Sequence, residues 1–239
     1  MTEAEWLACT NPEKMLGFLT GKASARKFRL FACACARRIG SIVADEGLDI
    51  ALLAAETDAT DGAPDEQGLW TAEGVMSQRL DGTTGEEYWL LRHVLGLAES
   101  ERDWKEGRLQ YQPDSMRVAR HTTWEVVRLL ARTVTKGGER SRAKAAERRA
   151  HCDLLREIIG GSPLRPLPSP LPNVLAWNDG TVRRIAEGIY EERAFDRLPI
   201  LADALLDAGC DHEELIAHCR GAGPHVRGCW AVDLILGKS

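Results

Sequence analysis

Apolar residues recur every three or four positions along almost all of this 239-residue chain, and no stretch alternates in steps of two for long enough to make a half-buried strand. Side chains spaced in threes and fours share one face of an α-helix, and that face must pack against another to leave water. The pattern therefore predicts an all-α fold. In SARKFRLFACACARRIG, Phe28, Phe31, Ala32, Cys35 and Ile39 line one face while Arg26, Arg29 and Arg37 point elsewhere. Helix starts are also written locally. Thr2-x-x-Glu5 and Thr84-x-x-Glu87 have capping-box spacing, and Asn11-Pro12 is an N-cap followed by proline at the first helical position.

The clearest interruption is GGSPLRPLPSPLP, residues 160–172, which holds five of the ten prolines. Such a run favours an extended, polyproline-like connection. The expected organisation is a multi-helix N-terminal region (1–160), a Pro-rich linker or strap (161–172) and a smaller helical C-terminal region (173–239). With 44% hydrophobic residues and seven tryptophans, the chain has material for a real core. Trp6, Trp89, Trp124 and Trp230 fall in apolar helical patterns and are read as core. Trp177 precedes the turn signal Asn178-Asp179-Gly180 and is read as a plug between the two regions.

Charge is uneven. Between Glu13 and Asp45 there are seven basic residues and no acid; from Asp45 to Glu73 there are nine acids and no Lys or Arg. The simplest reading is mutual attraction or two solvated faces. Lys136–Arg149 carries six positive and two negative residues but no aromatic to stack a base, so it reads as a solvated helix face rather than a phosphate-tracking surface. The net charge of -5 also argues against nucleic acid as the partner of the whole molecule. No run of about 18 apolar residues predicts a membrane span. The first residues have no basic segment leading into an apolar one, so no secretory signal is expected. An odd seven cysteines then read as reduced thiols, and the expected location is cytoplasmic.

Chemistry concentrates in CDHEELIAHCRGAGPHVRGC, residues 210–229, with three cysteines and three histidines. Seven cysteines and six histidines in the whole chain would place about one in such a window. If Asp211–Arg220 is a helix, Cys210 and His218 are about 12 Å apart along its axis, too far to share an ion. The second half is different. Gly223-Pro224 resembles a helix start, which would set His225 and Cys229 at i and i+4 with Asp233 continuing the stripe. His218 or Cys219 would fold back to meet them. The candidate metal ligands are thus His218, His225, Cys229 and Asp233, and three ligands plus water would make an open zinc site. The competing reading is a packed helical hairpin, with Val226, Trp230 and Leu234 facing the core and cysteine acting as a small hydrophobe. A Cys229–His225 nucleophile pair is a further alternative. Cys33 and Cys35, two apart on a helix, cannot chelate together and read as filler. Asp203 and Asp207 read as a surface stripe rather than an acid–base pair. No Walker loop, G-x-G-x-x-G, G-x-S-x-G, H-E-x-x-H, C-x-x-C or EF-hand loop occurs.

The chain ends carry a resemblance. MTEAEWLACTNPEKMLGFLTGKASARKFRLFACACARRIG at one end, and LLREIIGG, RAFDRLPILADALLDAGC and GPHVRGCWAVDLILGK at the other, resemble the opening and closing segments of a large paralogous family of planctomycete proteins. The resemblance covers residues 1–40 and 152–239 and is looser between them. The chain departs from it at Gly160–Pro166 (GGSPLRP), where the family pattern has an Asn-Pro-Phe type turn. It implies no activity, ligand or site, so no residue role is carried over.

The first functional expectation is a non-catalytic helical interaction or scaffold module for a protein partner. Its basis is abundant core signal without a catalytic signature. The alternative is a zinc-binding protein, structural or hydrolytic, that uses the C-terminal His/Cys cluster. The third is a nucleic-acid-associated protein that uses the basic helices at 22–38 and 136–149.

Overall fold

The computed structural model describes residues 1–38, 52, 53, 56, 114–132, 137–160 and 172–238; their regular structure is helical, with no strand among them. The helices are α1 (Glu3–Ala8), α2 (Pro12–Phe18), α3 (Ala25–Arg37), α4 (Ser115–Arg132), α5 (Gly137–Ile159), α6 (Pro172–Glu192), α7 (Leu198–Asp207), α8 (Glu213–Arg220) and α9 (Trp230–Leu236), with a 3-10 turn at Phe195–Arg197. The all-α expectation is what the structure shows. No described helix is long and apolar enough to cross a membrane. The Thr84 capping box, Trp70, Trp89, Trp104, most of the acidic segment and the Pro-rich segment up to Leu171 lie outside the described residues.

Two compact units divide the chain, Cys9–Cys152 in one and Met1–Ala8 with Asp153–Ser239 in the other. In the Cys9–Cys152 unit the Asn11 side chain accepts from the Glu13 amide at 3.0 Å, and Ser24 accepts from the Lys27 amide at 3.3 Å. Both close helix starts that would otherwise leave amides open. α3 packs on α4 and is buried continuously from Phe28 to Ala36, Arg29 included. That corrects the outward placement of Arg29: the helix is buried on all sides, not along a stripe. Arg37 pairs with the buried Glu56 at 2.7 Å, so the basic and acidic segments do attract at this point. Arg38 holds the buried Glu147 bidentately at 2.5 and 2.9 Å, and His151 Nε2 lies 3.0 Å from the same carboxylate. Burial opposes the charge on Glu147, but the His151 and Arg38 contacts outweigh it and pull the carboxyl down to about 2. Arg140, Arg142, Lys144, Arg148 and Arg149 are exposed, as a solvated face requires. Trp124 is 51% exposed, which corrects its assignment to the core.

In the other unit, α1 carries the expected reciprocal box. The Glu5 amide donates to Thr2 Oγ1 at 3.2 Å and the Thr2 amide to Glu5 Oε2 at 2.7 Å. Trp6 is fully buried, and its carbonyl accepts from Arg156 at 3.0 Å. A core of Val182, Ala186, Ile189, Leu201, Leu205 and Trp230, among others, joins α6, α7, α8 and α9. α6 is interrupted at Trp177–Gly180, where Asn178, Asp179 and Gly180 have φ of 47°, 55° and 77°. Asn and Asp tolerate this left-handed region better than most residues, and Gly freely. Arg184 donates to the carbonyl of Asp179 and to Thr181 Oγ1, tying the break down. Trp177 packs, partly buried, against the core of this same unit. α7 stops at Gly209 (φ 78°), where the Cys210 amide closes on the Leu205 carbonyl at 2.9 Å.

Candidate metal centre

Three separate segments bring four ligand-type side chains together. Glu157 comes from the last turns of α5. It lies one turn after Asp153 and Leu154 and is only 4% exposed. A carboxylate so placed needs partners. His218 comes from the last turn of α8, whose start is capped by His212 Nδ1 accepting from the Leu215 amide at 3.2 Å. His225 and Cys229 come from the loop between α8 and α9. That loop corrects the sequence reading. Gly223-Pro224 does not open a helix; α9 begins only at Trp230, with Cys229 as its N-cap residue. His225 and Cys229 are therefore not related by a helical turn. They meet because the loop curls, with Gly223 at φ 75° and Gly228 at φ 93°.

One ligand atom each from Glu157, His218, His225 and Cys229 falls within 4.8 Å of all the others. His218 Nε2 is 3.2 Å from Cys229 Sγ and 3.5 Å from Glu157 Oε2. His225 Nδ1 is 3.1 and 3.3 Å from the two Glu157 oxygens. Bonds of 2.0–2.3 Å at tetrahedral angles around zinc would put ligand atoms about 3.3–3.5 Å apart. The His218–Cys229, His218–Glu157 and His225–Glu157 separations of 3.1–3.5 Å are close to that size. The two rings meet edge to face at 5.1 Å. Behind them, the Trp230 indole N–H donates to His218 Nδ1 at 3.0 Å, and His225 Nε2 lies 3.0 Å from the Gly221 carbonyl. A cleft of about 480 Å³ opens beside the group, walled by Asp153, Arg156, Glu214, His218, Pro224 and Trp230.

Electrostatics follow from burial and from the Glu157 charge. Burial pushes the Cys229 thiol well above its ordinary value, and Glu157 adds to this. Burial, again aided by Glu157, takes Cys219 to about 12. His218 is lowered, mainly by desolvation, with Glu157 opposing and His225 assisting. For His225 desolvation works downward, but the hydrogen bond and charge of Glu157 prevail and raise it. A divalent cation would reverse this logic, since zinc binds the thiolate and the imidazole lone pair directly. With Glu157 and Cys229 ionised, the protein charge would balance a 2+ ion.

His218, His225 and Cys229 are thus brought together as the sequence suggested. Asp233 is not part of the group; it is buried in the first turn of α9, where its amide donates to the Cys229 carbonyl at 3.0 Å. Cys210 and His212 fall outside it too, as the axial distance along α8 required. Asp203, on the surface, pairs with Arg220 at 2.7 Å. Cys33 and Cys35 are buried. Glu157 is the member that sequence reasoning missed. Its signal was slight, one acid among the apolar residues of LLREIIG.

Compared with protein-family models, with curated proteins and with solved structures, the chain matches none.

Proposed function

We propose that this chain is a zinc-binding protein whose ion sits among Glu157, His218, His225 and Cys229. The observation that carries the reading is the convergence of one carboxylate, two imidazoles and one thiol from three segments, within 4.8 Å of one another. Nitrogen, oxygen and sulfur donors at these separations suit zinc. Core packing alone would not gather a 4%-exposed carboxylate, two histidines and a thiol around one point. The family resemblance at the chain ends belongs to the same proposal and adds no ligand to it.

The test is the zinc content of the purified, untagged protein by ICP-MS, beside His225→Ala/Cys229→Ala. About one zinc per chain in the wild type and none in the variant is the expected result. A folded wild type without metal after growth in added zinc would leave the cluster as hydrogen-bonded packing.

A helical interaction module is the second reading. It is supported by Trp124 on α4 and Ile200 on α7, which expose 51% and 56% of their surface. Large apolar side chains of this kind anchor interfaces.

A further inference from the structure

The two histidines of the cluster are held in opposite senses. A neutral imidazole has one N–H and one lone pair, and the partner of the outer nitrogen decides which of them faces inward. His225 turns Nδ1 toward Glu157 and Nε2 toward the Gly221 carbonyl, 3.0 Å away. Both neighbours only accept, so in the metal-free protein the ring donates from both nitrogens; the Gly221 carbonyl holds the Nε2 proton in place, and an ion that displaces the Nδ1 proton meets a lone pair aimed at it. This is the arrangement of metal-bound histidines generally, whose second nitrogen donates to an oxygen.

His218 is reversed. Its outer nitrogen, Nδ1, receives the Trp230 indole N–H at 3.0 Å. Indole is a donor only, so that lone pair is taken and the proton sits on Nε2. Nε2–H is the end that faces Cys229 Sγ at 3.2 Å and Glu157 Oε2 at 3.5 Å. An N–H cannot bind a cation. The ring also packs at 4.9 Å on Trp230, which fixes its orientation.

Resting on the zinc reading, we infer that the ion has three protein ligands, Glu157, His225 through Nδ1 and Cys229, and that His218 presents Nε2–H to an open fourth position. That position takes an oxygen ligand, water or the carboxylate of a small molecule. The ligand's oxygen bonds to zinc and accepts from His218. Three protein ligands with one exchangeable place is the pattern of zinc sites that act on a bound molecule, whereas structural sites are closed by four. The cleft bounded by His218, Pro224 and Trp230 leads to the group from solvent. His218 is a positioning residue here, and Trp230 sets its tautomer.

Cobalt(II) in the whole 239-residue chain is the probe, because thiolate charge-transfer and ligand-field bands report both occupancy and the fourth ligand. His225→Gln should weaken cobalt binding by at least ~100-fold, whereas His218→Gln, which keeps an N–H donor, should stay within ~3-fold of wild type. Acetate should shift the ligand-field bands of the wild type. Loss of cobalt in His218→Gln as severe as in His225→Gln would overturn the inference and leave a four-ligand zinc site standing. A folded wild type that binds no cobalt or zinc would sink the zinc reading and this inference with it. Bands unmoved by saturating acetate would mean a closed site and would also overturn it. If His218→Gln fails to fold, Trp230→Phe replaces it. Freed of the indole, His218 can turn its lone pair inward and fill the fourth place, so the acetate shift should fall several-fold; an undiminished shift counts against the inference.

Discussion

Gly223→Ala should dismantle the centre from a position that contributes no side chain to it. Gly223 sits at φ +75°, and a Cβ there would lie 2.5 Å from the His225 amide nitrogen, 2.7 Å from its Cδ2 and 2.9 Å from its Cγ. No relaxation of a side-chain tip relieves this, because the nearest atom is backbone. Holding alanine in the left-handed region costs about 1–2 kcal/mol. Moving the His225 ring breaks its bonds to Glu157 and to the Gly221 carbonyl, a charge-assisted set worth about 1.5–3 kcal/mol. Urea unfolding of the metal-free protein should therefore show a loss of about 3–4 kcal/mol. Zinc content should drop to zero. Gly221→Ala is the matched control. Gly221 has an ordinary φ of -66°, and its Cβ would meet the His218 carbonyl at 3.2 Å and the Ala217 carbonyl at 3.6 Å. It should cost about 1 kcal/mol or less and keep the metal. A Gly223→Ala protein with one zinc per chain and near wild-type stability would refute the argument, because His225 would then be free to reach the site by another path.

Other consequences are open to measurement. The Glu147 carboxyl is depressed in the folded state from 4.5 to about 2, so its contribution is present above pH 4.5 and is lost as pH falls toward 2. The loss, about 3 kcal/mol, should show in denaturant midpoints taken across that window and be absent in Glu147→Gln. Asn11→Ala removes the α2 cap and should lower unfolding free energy by about 1 kcal/mol, seen as a shifted urea midpoint at unchanged slope. Iodoacetamide at neutral pH should label the partly exposed Cys9 and Cys210 in the folded protein and spare Cys35, Cys219 and Cys229, read by peptide mass. In the metal-free protein burial keeps those three thiols protonated. Asp233→Asn should leave zinc content unchanged, since Asp233 stands outside the group; loss of zinc there would restore it as a ligand.

Helix existence and helix starts were legible because their causes are local. The Thr2–Glu5 box and the Asn11 cap with Pro12 each act within one turn of chain, and each is present in the structure. The enrichment of Cys and His at 210–229 was legible as composition, and the axial rise of a helix was enough to set Cys210 aside. Sequence did not reveal that α3 is buried all round, that Trp124 is exposed or that Gly223-Pro224 bends instead of starting a helix. Each depends on what packs against the segment. Glu157 shows the difference most plainly. As one letter in LLREIIG it is an acid among apolar residues. It becomes a candidate ligand only when α5 and the loop at 225–229, about 70 residues further along the chain, are folded onto one another. The caps come from hydrogen bonds that a chain makes with its near neighbours. The centre comes from a buried charge that finds its partners only through the tertiary fold.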